Sequence, residues 1–483
     1  MLWLVILLPV LAAVYWYGVS RYSILANEPL KGPNPWPYIG NLLDVKKHGG
    51  MHKMLMHYFK AYGRVHKMFI GRAAAIVVSD PEIVKQIVIK EFHKFPNRPL
   101  FIKPNPPMDS GMFLGQGALW KRIRTTLTPT FSTAKLKQIV PIIDKATATL
   151  QSKMASFAAT GESTDCVNLF SLFALDVITI SAFGVETDIQ TDPDSSFYKL
   201  AKKAFRTPIW VRAFSMFPFS EYLSKYVDVL PNIDYFLKIA LSMVEQRKKH
   251  GSQGRKDLVT LMLEAREDTV DGVPRLNDQE LAAQSLTFLL AGFETTANTL
   301  ANTAYLLARH PDVQDKLIQE IDLAGSNRGN SPLYEYSQKI DYLDRVINES
   351  LRLYPPGYLI IRRCDEECTI QGVHFPRGVD VNIPVYILHR DPAVWERPDD
   401  FDPEHFSHEA NEKRHPYSFI PFGMGPRQCI GMRFALMEIK IALVNILEKY
   451  KFCSSEETQD LLEHRAVILM APRDPIKLKV ARR

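Results

Sequence analysis

The sequence predicts a mainly α-helical protein with a smaller β-rich region, built as a single globular domain behind an N-terminal membrane anchor. Three observations carry this. Residues 277–310 hold about thirty helical residues, on the order of 45 Å at the standard rise, and the middle, 286–300, is apolar on most faces. Such a helix runs through a core. No linker, low-complexity block or internal repeat follows about residue 40 in a chain of 483 residues, so the ordinary expectation of two or three domains gives way to one. Residues 1–20 carry no charge.

That apolar run is long enough to span a bilayer. Trp3, Tyr15, Trp16 and Tyr17 suit the interfacial belts. No basic segment precedes it, which argues against a cleaved signal peptide or presequence. Arg21 and Lys31 follow it, so the positive-inside rule places the body in the cytosol. Residues 21–41 then read as a stiff hinge, because Pro33, Pro35 and Pro37 alternate and enforce an extended path. The main domain is expected over 42–483.

Hydrophobic content of 46% and charged content of 23% are those of a globular chain. The net charge of +6 is spread along the sequence, which excludes a nucleic-acid footprint but suits an anionic membrane surface or an acidic protein partner. The cysteines are Cys166, Cys364, Cys368, Cys429 and Cys453, an odd and sparse set that indicates a reducing compartment. Cys364 and Cys368 lack a second Cys/His pair to complete a zinc site and are read as structural.

Along the body, residues 64–79 read as a β-hairpin turning at Gly71-Arg72, and Asp80-Pro81-Glu82 as a helix start. Residues 96–115 form a long Pro/Gly-rich loop, and such loops in compact domains are often functional. Trp120 and Arg124 lie four apart on one helix face and could together grip a carboxylate; Arg98 is a further candidate for that job. Phe205, Ile209, Trp210, Phe214, Phe217 and Phe219 interleave with Lys202, Lys203, Arg206 and Arg212. A membrane-dipping surface or substrate entrance and plain core packing are equally open there.

The long helix starts at a capping box, Asn277 to Glu280, and stops at Arg309-His310-Pro311. Ala291-Gly292-Phe293-Glu294-Thr295-Thr296 breaks its apolar pattern. A glycine costs about 1 kcal/mol in a helix interior, and a buried carboxylate costs more unless paired. Rule-breaking of this kind marks functional sites. Gly292 would let a flat ligand approach the backbone. The Thr295 hydroxyl could bond a preceding carbonyl and open the helix locally, and Glu294 could relay protons. Residues 342–353 form a second core helix with Glu349 and Arg352 on one face, ended by Pro355-Pro356-Gly357. Tyr358, Leu359, Ile360 and Ile361 follow as a strand that could line a pocket, and residues 368–388 as short strands.

Cys429 lies in the glycine-punctuated loop Phe422-Gly423-Met424-Gly425-Pro426-Arg427-Gln428-Cys429-Ile430-Gly431, just before a helical pattern. Unpaired N–H groups and the positive dipole end favour a thiolate there, the form a haem iron requires. Arg427 offers a donor fork suited to a carboxylate such as a haem propionate.

The string Phe-x-x-Gly-x-x-x-Cys-x-Gly resembles the haem-ligand signature of the cytochrome P-450 superfamily, and residues 419–443 resemble its animal microsomal branch. The anchor, proline hinge, Trp-x-x-x-Arg, long helix, Glu-x-x-Arg and cysteine loop occur in the family's order. The resemblance implies the cytochrome P-450 fold and haem b, with Cys429 as axial ligand within a motif that includes Phe422 and Gly431. It implies that Trp120, Arg124, Arg362, Arg427 and Arg98 hold the propionates and that Gly292 lies against the haem. Thr295 and Glu294 would manage oxygen activation, and Glu349 and Arg352 would form a structural lock. The family's usual Pro-Glu-Arg-Phe is Pro403-Glu404-His405-Phe406 here, which puts the strength of that lock in question.

The implied activity inserts one atom of dioxygen into a lipophilic substrate (a xenobiotic, steroid or fatty acid). No Gly-x-Gly-x-x-Gly run is present, so the chain is expected to bind no nicotinamide or flavin itself. The resemblance implies that electrons come from a membrane-bound NADPH-dependent flavoprotein reductase, with cytochrome b5 as a further donor, at the endoplasmic reticulum. A haem-thiolate isomerase or dehydratase acting on a peroxide, and a non-catalytic haem sensor or carrier, are the alternatives.

Overall fold

The computed structural model describes residues 2–100, 106–187, 189–192, 194–204, 233–252, 254–267, 269–270, 273–274, 276–327, 329 and 331–483. The aromatic and basic stretch at 205–232 lies outside them, as do residues 101–105 of the long loop.

The molecule is built on the central helix Asp278–Arg309, 32 residues long. The expected capping box is present: the Glu280 N–H donates to Asn277 Oδ1 at 2.8 Å, and the Asn277 N–H donates to Glu280 Oε2 at 3.0 Å. Helices Cys166–Phe183, Ile233–His250, Asp341–Leu353 and Met432–Leu447 pack around it. Their buried side chains merge into one large core that runs from Met108 to Val480. That continuity is why no domain boundary is legible in the sequence.

The β-rich part is a four-stranded sheet in the order Val65–Ile70, Ala73–Val78, Asp380–Ile383, Ile360–Arg363. The first two strands are the expected hairpin, with Val65 opposite Val78 and Gly71 at φ 58° in the turn. Ala73–Val78 pairs in parallel with Asp380–Ile383, and the latter pairs antiparallel with Ile360–Arg363. The sheet therefore joins residues 300 positions apart and carries Arg362 into the interior, where it is 3% exposed. The expected start at Asp80 also forms: its carboxylate accepts the N–H groups of Glu82 and Ile83 ahead of the short helix Pro81–Lys85.

The N-terminal segment is the apolar helix Leu2–Val19, with Leu7, Leu8, Val10, Leu11, Val14, Tyr15 and Trp16 exposed. The hinge behind it docks on the sheet. The Lys67 N–H donates to the Lys31 carbonyl at 2.9 Å, and the Phe69 N–H to Asn41 Oδ1 at 2.8 Å. Gly40 has φ +61°, and a Cβ there would lie 2.4 Å from the Phe69 carbonyl oxygen. Only glycine fits that approach. Among the described residues, Cys166–Phe183 is long and apolar enough to cross a membrane, but it is 83% buried and is a core helix.

The capping box gives a direct test of the central helix. Asn277→Ala should cost about 1 kcal/mol, whereas Asn277→Asp should retain most of that. Thermal unfolding of the two variants side by side checks it; equal losses would show that the cap contributes nothing.

Candidate active site

The loop 422–431 folds back on itself, with the Cys429 N–H donating to the Phe422 carbonyl at 2.9 Å. Gly425 is at φ +76°, and a Cβ there would sit 2.0 Å from the Val88 carbonyl oxygen, so the turn admits no side chain. The helix Met432–Leu447 begins at once, and the backbone N–H groups of Gly431 and Met432 point at the Cys429 sulfur. The sulfur thus occupies the helix-end position expected from the sequence.

The expected preference for thiolate does not follow. Burial pushes the Cys429 thiol up, and this outweighs the helix-end N–H groups and the charges of Arg124 and Arg98. Desolvation wins because the sulfur lies deep in the molecule, even though its own side chain is left uncovered. A cation bound directly to the sulfur would be needed to hold it as thiolate at neutral pH.

Around it converge four arginines from four separate segments. Arg427 is 5% exposed and donates through Nε to the Pro96 carbonyl at 2.7 Å and through Nη2 to the Gly115 carbonyl at 3.0 Å. Its guanidinium lies 4.1 Å over the ring of Trp120. Arg362 donates to the Ile361 carbonyl at 2.9 Å. Arg98 donates to the Phe113 carbonyl at 2.8 Å, and Arg124 lies 3.8 Å from Met112 Sδ.

Among the described residues no carboxylate pairs with any of the four. Arg427 Nη1 and Arg362 Nε are buried without a hydrogen-bond partner. Burial, then Arg98 and Arg124, pull Arg427 down to about 9. Burial first, and then Arg98 and Arg427, pull Arg362 well below its ordinary value. Guanidinium groups keep their proton at neutral pH, so these depressions express an unmet demand for negative charge.

The central helix presents one open stripe. Thr287, Leu290, Ala291, Glu294 and Thr295 keep part of their side chains uncovered, whereas 296–308 are buried. The Thr295 hydroxyl donates to the Ala291 carbonyl at 2.6 Å. The local opening expected there is absent, since the segment is α-helical from Asp278 to Arg309. A Cβ on Gly292 would come within 2.9 Å of Ile178, so the glycine also lets the helix Cys166–Phe183 pack closely.

Behind the cysteine loop, Glu349 and Arg352 are fully buried and bonded in a fork: Nε to Oε2 and Nη2 to Oε1, both at 2.7 Å. Arg352 also donates to the carbonyls of His389, Pro398 and Asp400 at 2.6–3.0 Å. Glu349 Oε1 accepts the Asp402 N–H at 2.9 Å and faces His405 Nδ1 at 3.0 Å. His405 Nε2 faces the Glu396 carbonyl at 2.7 Å. The histidine therefore completes the lock instead of weakening it. Both ring nitrogens meet oxygen atoms, so the side chain is held at both ends. Burial would raise Glu349, but the hydrogen bonds from Arg352 and His405 outweigh it and hold the carboxyl below its ordinary range.

Comparison with known proteins agrees with this geometry. A family model described as Cytochrome P450 matches residues 30–480. Curated relatives include Cytochrome P450 3A29 of Sus scrofa, 36% identical over 99% of this chain and 96% of that protein. Cytochrome P450 3A9 of Rattus norvegicus is 36% identical over 100% and 96%. Cytochrome P450 3A12 of Canis lupus familiaris is 37% identical over 97% and 94%. The chain belongs to the cytochrome P-450 family.

It is accordingly a haem-dependent monooxygenase whose cofactor is haem b, and the residues present fit that group. A P-450 haem needs one thiolate and cover for two carboxylates. Cys429 can supply the first, and the orphaned N–H groups of Arg427 and Arg362, with Arg98 and Arg124, the second. Sequence reasoning missed how these P-450 arginines are aimed, because backbone carbonyls of Pro96, Phe113 and Gly115 do it. It also missed the hairpin of His464–Ala466 and Met470–Pro472. Tyr358, two residues before the strand Ile360–Arg363, donates to the Val467 carbonyl at 2.8 Å, and Val467 and Ile468 are exposed. The apolar run Val467-Ile468-Leu469 was the available signal.

Two outcomes follow for the lock. Arg352→Ala strands a buried carboxylate and should cost about 3–5 kcal/mol, so folded, haem-loaded protein should be largely lost. His405→Arg should keep it, and His405→Ala should cost about 1–3 kcal/mol; yield and thermal unfolding decide. Because Glu349 is held below its ordinary carboxyl pKa, its contribution is present above that value and lost as the pH falls through the folded one. In Glu349→Gln the decline in stability as the pH falls below the ordinary carboxyl range should flatten; an unchanged acid profile would refute this.

Proposed function

We propose that this protein is a membrane-anchored monooxygenase of lipophilic small molecules, with Cys429 as the axial ligand of its haem iron. The observation that carries this is the uncovered sulfur at a helix N-terminus beside four arginines that have no carboxylate partner among the described residues. When bound, haem supplies the reduction of dioxygen and the transfer of one oxygen atom. Arg427, Arg362, Arg124 and Arg98 bind and orient its carboxylates. Gly431 and Met432 donate N–H groups to the sulfur and stabilise its anionic form.

The open stripe on the central helix faces the reacting centre in this reading. Thr295 holds a proton on Oγ1, aimed at the Ala291 carbonyl and free to turn. Glu294, one residue before it, passes protons inward. The apolar side chains of Leu290 and Ala291 on that stripe favour lipophilic substrates. Electrons arrive from an NADPH-dependent flavoprotein reductase, with cytochrome b5 as a further donor; the basic balance of the chain suits an acidic docking face. The relatives' mammalian 3A names are consistent with the animal microsomal branch and with residence at the endoplasmic reticulum membrane. The uncharged helix Leu2–Val19 anchors the protein there, residues 21–41 form the hinge and 42–483 the catalytic domain on the cytosolic side.

The test is spectral. Purified protein, reduced and exposed to carbon monoxide, should show the red-shifted band of thiolate ligation. Cys429→Ser should abolish it together with turnover; a serine variant that still turns over would overturn the assignment. Thr295→Ala should cut product formation on the order of 10²-fold while NADPH is still consumed, and Thr295→Ser should restore it. Product formed from a peroxide without reductase would instead support the isomerase reading.

A further inference from the structure

A second sulfur site lies away from Cys429. Cys364 follows the strand Ile360–Arg363, and Cys368 opens the strand Cys368–Ile370. Both converge on Phe375. Cys368 is its cross-strand partner, and Cys364 Sγ donates to the Phe375 carbonyl at 3.4 Å and to the Glu366 carbonyl at 3.0 Å. The two thiols are also near enough for each to influence the other's ionisation.

Beyond the Cys364 contact with Glu366, the loop between them is pinned by bonds that use neither sulfur. The Asp365 N–H donates to the Lys94 carbonyl at 2.8 Å, Asn97 Nδ2 to Asp365 Oδ2 at 2.7 Å, and the Gly378 N–H to the Cys364 carbonyl at 2.7 Å. The two sulfurs are not equivalent. Cys364 is fully buried, whereas Cys368 is half-buried and feels the Lys94 ammonium. An accessible sulfur beside a cation, with a second sulfur behind it, is the arrangement of an attacking and a resolving thiol.

We propose that Cys364 and Cys368 form a reversible dithiol–disulfide site, with Cys368 attacking and Cys364 resolving. The co-reactant is a low-molecular-weight disulfide such as oxidised glutathione. The Cys368 thiolate attacks one of its sulfurs; that S–S bond breaks and one small thiolate leaves. Cys364 gives its proton to solvent and its sulfur attacks Cys368 Sγ. The mixed disulfide breaks, the second small thiolate leaves, and each departing thiolate takes up a proton. The two protein thiols lose two electrons, and the reagent gains them as two thiols.

Burial pushes Cys364 up to about 12 and raises Cys368 as well, against the pull of Lys94 and the Cys364 S–H. Exchange should therefore be slow at neutral pH and quicken as the pH rises. The pair stands two residues from Arg362, at the end of the strand that carries it inward.

The experiment uses the full-length, haem-loaded protein equilibrated with oxidised and reduced glutathione, then alkylated, digested without reductant and read by mass spectrometry. Wild type should lose two hydrogens from the peptide holding both residues, reversibly with dithiothreitol. Cys364→Ser should trap a lasting glutathione adduct on Cys368, and Cys368→Ser should leave Cys364 unmodified. A lasting adduct on Cys368 in wild type would overturn the proposal. So would the absence of any change at either residue while the partly exposed Cys453 reacts. Should a serine variant fail to fold, the wild-type result decides alone.

Discussion

Positive charge without a carboxylate partner among the described residues is the constraint on which the interior depends. Arg98, Arg124, Arg362 and Arg427 come from a long loop, a helix, a sheet strand and the cysteine loop. Desolvation opposes each of them, and neighbouring arginines repel Arg98, Arg362 and Arg427. A protein relying on its own groups would place a carboxylate there. Instead carbonyls steer the guanidinium groups and leave N–H groups over for something anionic. The sulfur is in the opposite difficulty. It needs a cation to stay ionised, and burial alone would protonate it. A haem, with two carboxylates and an iron, answers both at once.

The rest of the scaffold holds these segments in place. Glu349 and Arg352 tie the central region to residues 389–402 through the carbonyls and N–H groups of an otherwise irregular stretch. A buried ion pair on its own is weak evidence of stability. This one is saturated with hydrogen bonds, and that saturation makes it a lock. His405 fits because two acceptors, one charged, are presented to its two nitrogens. Arg414 closes the cluster, donating to the His405 carbonyl and lying 4.2 Å over the Trp395 ring.

Legibility in the sequence was uneven for physical reasons. Helices announced themselves through periodicity and caps, and the hairpin at 65–78 through its turn. Trp120, Arg124, Arg362, Arg427 and Cys429 could be proposed from the sequence because the family's motifs keep such residues at set spacings. Gly292 stood out in the sequence, but its packing role did not. A glycine's neighbour can lie on any element, and here it is Ile178, more than a hundred residues earlier. The parallel pairing of Ala73–Val78 with Asp380–Ile383 left no trace, since a strand does not encode which partner it will meet.

By itself the sequence determined the helical class, the order of the motifs and the chemistry each could carry, because propensity, capping and ligand type are properties of short stretches. Only the tertiary structure decided which groups meet, which charges are left unpaired and which way a proton equilibrium falls. Those outcomes depend on desolvation and distance between segments hundreds of residues apart, and no local pattern records either.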